Sequence, residues 1–204
     1  MHIDVIVVGF NEVNCYIVSD EKTKDAFIID PGFESQRIKK FIDDKGLEIK
    51  YIINTHGHAD HIGCNSDFPV PIYIHEADAE FLTDPVKNLS TLFGKNITSP
   101  PAERLLKGGD SVFLNDLKID IIHTPGHTPG GICLKIDSTV FTGDTLFRGS
   151  IGRTDFPYGD SRKILEAIKQ YLLPMDDSTK LYPGHGPSSV LGWERANNFY
   201  LSRL

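Results

Sequence analysis

The stretch NTHGHADHIG, residues 54–63, places three of the chain's eight histidines and one aspartate within six positions. Protonated imidazoles this close together would repel one another, and neutral ones would lose their hydration on burial without compensation. A bound cation removes both problems, because zinc and similar ions accept histidine nitrogen and aspartate oxygen as ligands. The motif therefore predicts a metal site that involves His56, His58, Asp60 and His61.

The residues around this motif indicate how its side chains are presented. Residues 50–55, KYIINT, are typical of a β-strand, and alternate residues of an extended segment point to the same side. His56 and His58 are therefore expected to face one pocket. A helix that begins near Asp60 would aim Asp60 and His61 at an adjoining point. The motif thus predicts two pairs of ligands rather than one set of four.

Three later strand ends carry further candidate ligands. His127 lies in TPGHTPGG, Asp144 in FTGDTLF and His185 in YPGHGP, each after an apolar segment and among glycine or proline. Such strand ends display side chains on a rigid edge and let the backbone approach an ion. The candidates divide into two sets joined by a bridge: His56, His58 and His127 for one ion, Asp60, His61 and His185 for a second, and Asp144 between them.

Length, charge and cysteine content narrow the class of protein. A chain of 204 residues with 40% hydrophobic and 24% charged residues can bury a full core. The formal net charge of -7 and the lack of basic runs argue against a nucleic-acid partner. Three separated cysteines favour reduced thiols. Without a signal-like N-terminus or an apolar segment of 18 residues, the sequence predicts a cytoplasmic protein with no membrane contact.

Short apolar segments and helical patterns predict an α+β fold. Strands are expected at 3–8, 15–19, 26–30 and 50–55, with a helix at Ser35–Lys45, and the second half repeats this order with helices at 162–172 and 193–200. Two successive sets of strands with outer helices predict two packed sheets between helices. Residues 83–109 are expected to form a loop that borders one face. No linker or repeat interrupts the chain, so one domain, 1–204, is predicted.

Several motifs in order carry a family resemblance. THGHADHIG, HTPGHTPG, FTGDTLF and YPGHGP span nearly the whole chain and resemble the metallo-β-lactamase superfamily. GDTLFRGSIGRTDFPYGD and LYPGHGPSSVLGWERANNF are similar to the short glyoxalase II-like hydrolases, which hydrolyse hydroxyacyl-glutathione thioesters at a binuclear centre. The resemblance implies a four-layer αββα sandwich and the ligand division given above, with Asp144 as the bridge.

These features predict a binuclear metal-dependent hydrolase, a glyoxalase II-like thioesterase. Water shared between two cations loses a proton near neutral pH, so we expect metal-bound hydroxide to attack the acyl carbon, with Asp60 as the catalytic residue that positions it. A thiolate, with a pKa of about 8.5, leaves without protonation, which favours a thioester over an amide. Two divalent ions are expected, zinc in the first place, and iron or manganese also suit such ligands.

Other functions also fit some of the residues. GRTDF and the first motif resemble persulfide dioxygenases, in which a single iron is held by residues matching His56, His127 and Asp144. A non-catalytic metal-binding scaffold is a further alternative. The resemblance disfavours antibiotic hydrolysis, because zinc lactamases usually place cysteine where this chain has Asp144 and lack a histidine that matches His61.

Residues 148–160 follow the proposed bridge and contain candidate substrate contacts. They are Arg148, Arg153, Phe156 and Tyr158. The planar guanidinium of Arg153 suits a substrate carboxylate, and an ion pair with Asp155 or Asp160 explains this arginine equally well. Full-length glyoxalase II enzymes carry a C-terminal helical extension with basic glutathione contacts, which this chain lacks. The partner is therefore predicted only as a small-molecule thioester, and the oligomeric state is not predicted.

A few polar residues outside these motifs have two interpretations. Asp30, in IIDPG, either orients a ligand or forms the turn before Pro-Gly. His123 either orients a ligand or is a structural histidine. His75 and His2 are predicted to be non-ligands, and Cys64 is predicted to be a packed residue.

Overall fold

The strands of the chain assemble into two sheets that face each other. The computed structural model describes residues 1–203, which form two six-stranded sheets and a short separate hairpin. The first sheet holds, in spatial order, β1 (His2–Val8), β2 (Val13–Ser19), β3 (Asp25–Ile29), β4 (Glu48–Ile53), β5 (Ile72–His75) and β6 (Arg104–Leu106). The second holds β7 (Ser111–Leu114), β8 (Leu117–His123), β9 (Ile132–Ile136), β10 (Thr139–Gly143), β13 (Lys180–Pro183) and β14 (Ser189–Val190), and the hairpin holds β11 (Leu146–Phe147) and β12 (Ser150–Ile151).

The helices are short and lie between the strands. The α-helices are α1 (Ser35–Lys45), α2 (Ala59–Ile62), α3 (Ser161–Ala167) and α4 (Leu191–Asn197). The helix predicted over 162–172 continues past α3 as a π-helical segment, Ile168–Leu172, and the helix predicted over 193–200 begins earlier and ends at Asn197. 3₁₀ segments lie at Asn65–Asp67, Glu76–Leu82, Ser90–Phe93 and Leu201–Arg203. Within residues 1–203, every helix is too short or too polar to cross a membrane.

Strand direction brings several strand ends to one edge. β3, β4, β5 and β6 pair in parallel, with α1 as the crossover between β3 and β4. In the second sheet β13 pairs in parallel with β10, and Gly143 lies opposite Pro183. The carboxyl ends of β4, β10 and β13 therefore lead directly into the segments that carry the candidate ligands.

Three apolar layers hold the sandwich together. One layer packs Ile38 and Ile42 of α1 on the first sheet, the central layer lies between the two sheets, and a third packs α3 and α4 on the second sheet. Alternation along β2 illustrates the arrangement, because Ile17 belongs to the outer layer and its neighbour Val18 to the central one. The predicted αββα order of layers is confirmed.

Two further predictions concern local structure. The three cysteines are buried and form no disulfide within the described part of the chain, as expected. Residues 83–109 are largely irregular, but β6 lies within them, which the sequence analysis did not predict. A three-residue edge strand with alternating exposure is too short to give a periodic signal.

Candidate metal centre

The HGHADH segment leaves β4 and turns directly into α2. His58 is the N-cap residue of α2, with an extended backbone, so the chain changes direction between His58 and Asp60. The helix predicted near Asp60 is confirmed as a single turn. The side chains of His56 and His58 therefore approach from the strand end, whereas Asp60 and His61 approach from the helical turn.

Histidines from two distant segments form the first donor set. His56, His58 and His127 are buried, and one nitrogen from each lies within 4.8 Å of the others. The Nδ1 atom of His58 is 2.9 Å from the Nε2 atom of His127. The second donor set consists of Asp60, His61 and His185, which satisfy the same criterion. Its closest pair is His61 Nε2 and His185 Nε2, at 3.2 Å.

Asp144 lies between the two donor sets. Its Oδ2 atom is 3.4 Å from His127 Nε2 in the first set and 3.5 Å from His185 Nε2 in the second. Its Oδ1 atom is 3.6 Å from His61 Nε2. The seven residues singled out from the sequence are thus brought together, with the carboxylate of Asp144 in contact with donors of both sets.

These donors fit divalent metal ions. Four ligand atoms at about 2.0 to 2.1 Å from a tetrahedral ion lie about 3.3 Å from one another, and the separations above scatter around that value. His56 Nε2 and Asp144 Oδ1 are buried and have no hydrogen-bond partner among residues 1–203. Unpartnered buried polar atoms are costly, and coordination of a cation would satisfy both of them.

Hydrogen bonds on the outer side of the rings fix their orientation. The Nδ1 atoms of three histidines face oxygen atoms: His61 faces Asp30 Oδ2 at 2.9 Å, His127 faces the Arg153 carbonyl at 2.7 Å, and His185 faces the Asn11 carbonyl at 2.8 Å. A carbonyl oxygen only accepts, so Nδ1 donates and the lone pair of Nε2 points into the centre. This arrangement is the one that metal-binding histidines use.

Asp30 combines the two roles considered for it. The residue ends β3 in a left-handed conformation, φ 52°, and its side chain is buried. Its carboxylate accepts hydrogen bonds from Thr55 N at 2.8 Å and Thr55 Oγ1 at 2.6 Å, in addition to the contact with His61. Asp30 therefore both shapes the turn and fixes the ring of His61.

Asp78 also supports the centre and was missed in the sequence analysis. Its carboxylate accepts hydrogen bonds from Gly57 N at 2.9 Å and Gly130 N at 2.6 Å. The residue thereby ties the loop of His58 to the loop of His127. The sequence around Asp78 offers no signal of this role, because the partners are backbone groups of remote segments.

Charge distribution within the centre is uneven. Burial and the neighbouring imidazoles of His61 and His127 hold the pKa of His56 well below its usual range. Burial also opposes protonation of His61, but the carboxylates of Asp144 and Asp30 outweigh it and raise the pKa of His61 to about 10. A metal ion that binds to the second set would therefore have to displace a proton from His61.

Gly184 makes room for the bridge. A β-carbon at this position would lie 2.2 Å from Asp144 Oδ1 and 2.9 Å from His61 Cε1. The backbone of Gly184 also donates to the carbonyl of Gly143 at 2.8 Å, which locks the ends of β10 and β13 together. Only glycine permits this approach.

A cavity of about 760 Å³ opens over the centre. Of the four predicted substrate contacts, Arg153 and Phe156 line this cavity. Arg153 makes a bidentate ion pair with Asp155, at 2.8 Å for both nitrogens, and lies 3.7 Å from the centre of the Phe156 ring. The ion pair considered as an alternative role for Arg153 is thus present.

The other two predicted substrate contacts lie elsewhere. Arg148 is in a second groove, with its guanidinium 4.8 Å from the ring centre of Trp193. Tyr158 packs edge-on against Phe81, with 5.5 Å between ring centres. Neither residue is among the described residues that line the cavity.

His75 and His123 form a pair outside the donor sets. Their rings stack with centres 3.9 Å apart and an interplanar angle of 13°. His123 Nε2 lies 2.9 Å from the Pro129 carbonyl, and His75 Nδ1 accepts a hydrogen bond from Ala77 N at 3.2 Å. Both histidines therefore have structural partners, and His123 supports the loop that carries His127.

Comparison with known proteins agrees with this geometry. The family profile described as the metallo-beta-lactamase superfamily matches residues 8–185. The hydroxyacylglutathione hydrolase GloC of Haemophilus influenzae is 36% identical over 210 residues, with 99% of each chain covered.

Two crystal structures extend the comparison to three dimensions. BLEG-1, described as a B3 metallo-beta-lactamase, has a TM-score of 0.94 and 33% identity, covering 98% of this chain and 100% of its own. TTHA1623 in a di-iron-bound form has a TM-score of 0.86 and 32% identity, covering 97% and 100%. With the family profile matched over most of its length, the chain belongs to the metallo-beta-lactamase superfamily.

Proposed function

We propose that the protein is a binuclear metal-dependent hydrolase that cleaves thioesters of the hydroxyacyl-glutathione class. The observation that carries this proposal is the position of Asp144, whose carboxylate contacts donors of both sets. The 36% identity to a hydroxyacylglutathione hydrolase across nearly all of both chains supports the substrate class. The likeness to a protein solved with two iron ions supports the metal count.

The residues have distinct roles in this proposal. His56, His58 and His127 would hold one ion, Asp60, His61 and His185 the other, and Asp144 both. Two bound divalent ions supply a water of lowered pKa and a Lewis acid for the acyl oxygen. Zinc is the proposed metal, and iron and manganese suit the same histidine and aspartate ligands.

Asp60 is the proposed catalytic residue because it is ionised and held in place. Burial opposes ionisation of Asp60, but His61 and a hydrogen bond from Asn11 outweigh it and lower the pKa of this carboxyl. Asn11 Nδ2 donates to Asp60 Oδ2 at 2.8 Å. A carboxylate fixed in this way can accept a hydrogen from the attacking water and orient it toward the acyl carbon.

The leaving group favours a thioester over an amide. Among residues 1–203, the carboxyl groups that line the cavity are those of Asp60 and Asp144, and both belong to the donor sets. No further carboxylic acid in this lining is therefore available to protonate a departing amine. A thiolate, with a pKa of about 8.5, needs no such acid.

β-Lactam hydrolysis is a second candidate function. It is favoured by the likeness to BLEG-1, described as a B3 metallo-beta-lactamase. This reaction releases an amine, so the lack of a free carboxylic acid in the cavity lining counts against it. A mononuclear iron persulfide dioxygenase and a non-catalytic metal-binding scaffold are the alternatives that the sequence resemblance and the ligand set leave.

A substrate panel separates these functions. Purified protein of known metal content is assayed with S-lactoylglutathione, a chromogenic cephalosporin and glutathione persulfide, the last with an oxygen electrode. We expect steady-state hydrolysis of S-lactoylglutathione, with far lower activity on the other two. Oxygen uptake with persulfide and no thioester cleavage would identify a dioxygenase, and two bound metals without activity on any substrate would favour the scaffold.

A further inference from the structure

One cation of the cavity wall has no acidic partner. Lys95 and Arg153 are the lysine and arginine residues that line the cavity in the described part of the chain. Arg153 is paired with Asp155 through two hydrogen bonds. Within residues 1–203, Lys95 has no carboxylate within the 4.0 Å that defines an ion pair. Its ammonium group lies instead 5.3 Å from the centre of the Phe33 ring.

The loop that carries Lys95 is joined directly to the metal-binding segment. Asn88 is fully buried, and its carbonyl accepts a hydrogen bond at 3.0 Å from the backbone of Ala59, the residue between His58 and Asp60. The side chain of Asn88 donates to the carbonyl of Ile97 at 2.8 Å, which closes the loop. The loop is therefore positioned by the same backbone that presents two of the candidate ligands.

Within this loop, the backbone of Lys95 has a fixed place. Its N–H donates to the carbonyl of Ser90 at 3.0 Å, after a left-handed turn at Gly94. Ser90 is buried, and its hydroxyl accepts from Ile97 N at 3.1 Å. Because these bonds close the loop on both sides of Lys95, its side chain leaves from a defined point on the cavity wall.

The ring of Phe33 provides a firm surface for the ammonium group. A β-carbon added at Gly9 would lie 2.6 Å from Phe33 Cδ2, and one added at Gly63 would lie 2.8 Å from Phe33 Cε1. The ring is thus packed between two glycines. A cation over an aromatic face gains a modest attraction and keeps its hydrogen-bond donors free for a ligand.

These contacts place an available positive charge and the reaction centre in the same cavity. A substrate whose thioester lies at the donor sets can extend along the wall toward Lys95. The exposed aromatic rings of Phe10 and Phe93 also line this cavity, and they lower the water content around a bound charge. We infer that Lys95 binds a carboxylate of the thioester substrate and is a specificity residue, an inference that rests on the proposed function.

The test compares two thioesters that share the lactoyl group. S-lactoylglutathione carries carboxylates, and S-lactoyl-N-acetylcysteamine carries none. Substitution Lys95→Gln is expected to raise KM for the first substrate roughly three- to tenfold, as for loss of an exposed charge pair. It should leave kcat unchanged and the second substrate unaffected. Lys95→Arg should retain most of the preference, and the preference should shrink with added salt.

A matched control and a binding measurement complete the design. Lys45 is an exposed lysine whose ammonium lies 5.6 Å from the centre of the Phe41 ring, outside the cavity. Lys45→Gln removes the same charge and should leave both substrates unaffected. Product inhibition by glutathione and by its glycyl ethyl ester shows which carboxylate is bound. If the glycyl carboxylate is the partner, the ester inhibits wild type more weakly than glutathione does. If the γ-glutamyl carboxylate is the partner, both inhibit equally, and Lys95→Gln weakens both.

The possible results separate this inference from the proposed function. If wild type hydrolyses both thioesters and Lys95→Gln changes them equally or not at all, the role of Lys95 is overturned and the proposed function stands. If wild type hydrolyses neither thioester, the proposed function fails, and the inference about Lys95 fails with it.

Discussion

The Nε2 atoms of His61 and His185 face each other at a distance of 3.2 Å. Each ring directs its Nδ1 atom to an oxygen on the opposite side, Asp30 Oδ2 for His61 and the Asn11 carbonyl for His185. Two nitrogen lone pairs this close require a proton or a cation between them. The contact therefore explains why a chain would retain two such histidines at a metal centre.

Asp30 is expected to control metal affinity through His61. In Asp30→Asn, an amide NH₂ facing His61 would repel the Nδ1 hydrogen and favour the tautomer with the hydrogen on Nε2, which cannot bind a metal. We expect metal affinity to fall by roughly 10- to 100-fold, as for other groups that orient metal-binding histidines. Competition with a chelating dye measures this change.

An exposed aspartate provides the control for that experiment. Asp116 lies in the turn between β7 and β8, remote from the centre. Asp116→Asn should bind metal as wild type does. Unchanged affinity in Asp30→Asn, with an unchanged melting temperature, would show that Asp30 does not orient His61.

Gly184→Ala is expected to abolish the bridge by steric conflict alone. The added methyl group would occupy the place of Asp144 Oδ1, so the carboxylate must move. We expect the metal content to fall to one ion per chain or less and activity to drop roughly a hundredfold, since small misplacements at a reaction centre have effects of that size.

Circular dichroism and elemental analysis together test the substitution at Gly184. A folded variant that has lost metal agrees with the account. Ser188→Ala, an exposed change four residues away, should retain both metal and activity. Full metal content in Gly184→Ala would mean that Asp144 is not needed as the bridge.

The stacked pair of His75 and His123 predicts a dependence of stability on acid. Burial and the adjacent ring of His123 lower the pKa of His75 to about 4. An unfolded histidine, with a pKa of about 6.5, takes up a proton more readily. The contribution of His75 to stability is therefore complete above about pH 6.5 and is lost as the pH falls toward 4.

His75→Asn isolates this effect, because asparagine can still accept the hydrogen bond from Ala77 N at the start of the 3₁₀ segment. The urea midpoint of wild type should decline more steeply than that of His75→Asn between pH 6.5 and 4. Parallel curves for the two proteins would refute the prediction. His2→Asn, at an exposed position, should follow wild type.

The ligand positions were predictable from sequence because each one stands at a strand end among glycine or proline. His127, Asp144 and His185 need no long-range information to be recognised as displayed side chains. The division into two sets followed from the direction change after His58, which a single helical turn provides. The layer order followed from two successive sets of apolar strands.

The supporting residues were less accessible to sequence reasoning. Asp78 acts on Gly130 across 52 positions, and Asn11 accepts from His185 across 174. Such contacts depend on how sheets and loops meet, which no local pattern encodes. The same reason explains Arg148, whose place near the motif in sequence suggested a substrate contact, whereas in the fold it stacks on Trp193 in another groove.

The metal content of purified protein tests the central claim most directly. Elemental analysis of wild type and Asp144→Asn, together with initial rates on S-lactoylglutathione, is the measurement. We predict two divalent ions per chain in wild type, and a parallel loss of metal and thioesterase activity in Asp144→Asn. A single iron per chain, with oxygen consumption on glutathione persulfide and no thioester hydrolysis, would contradict the account.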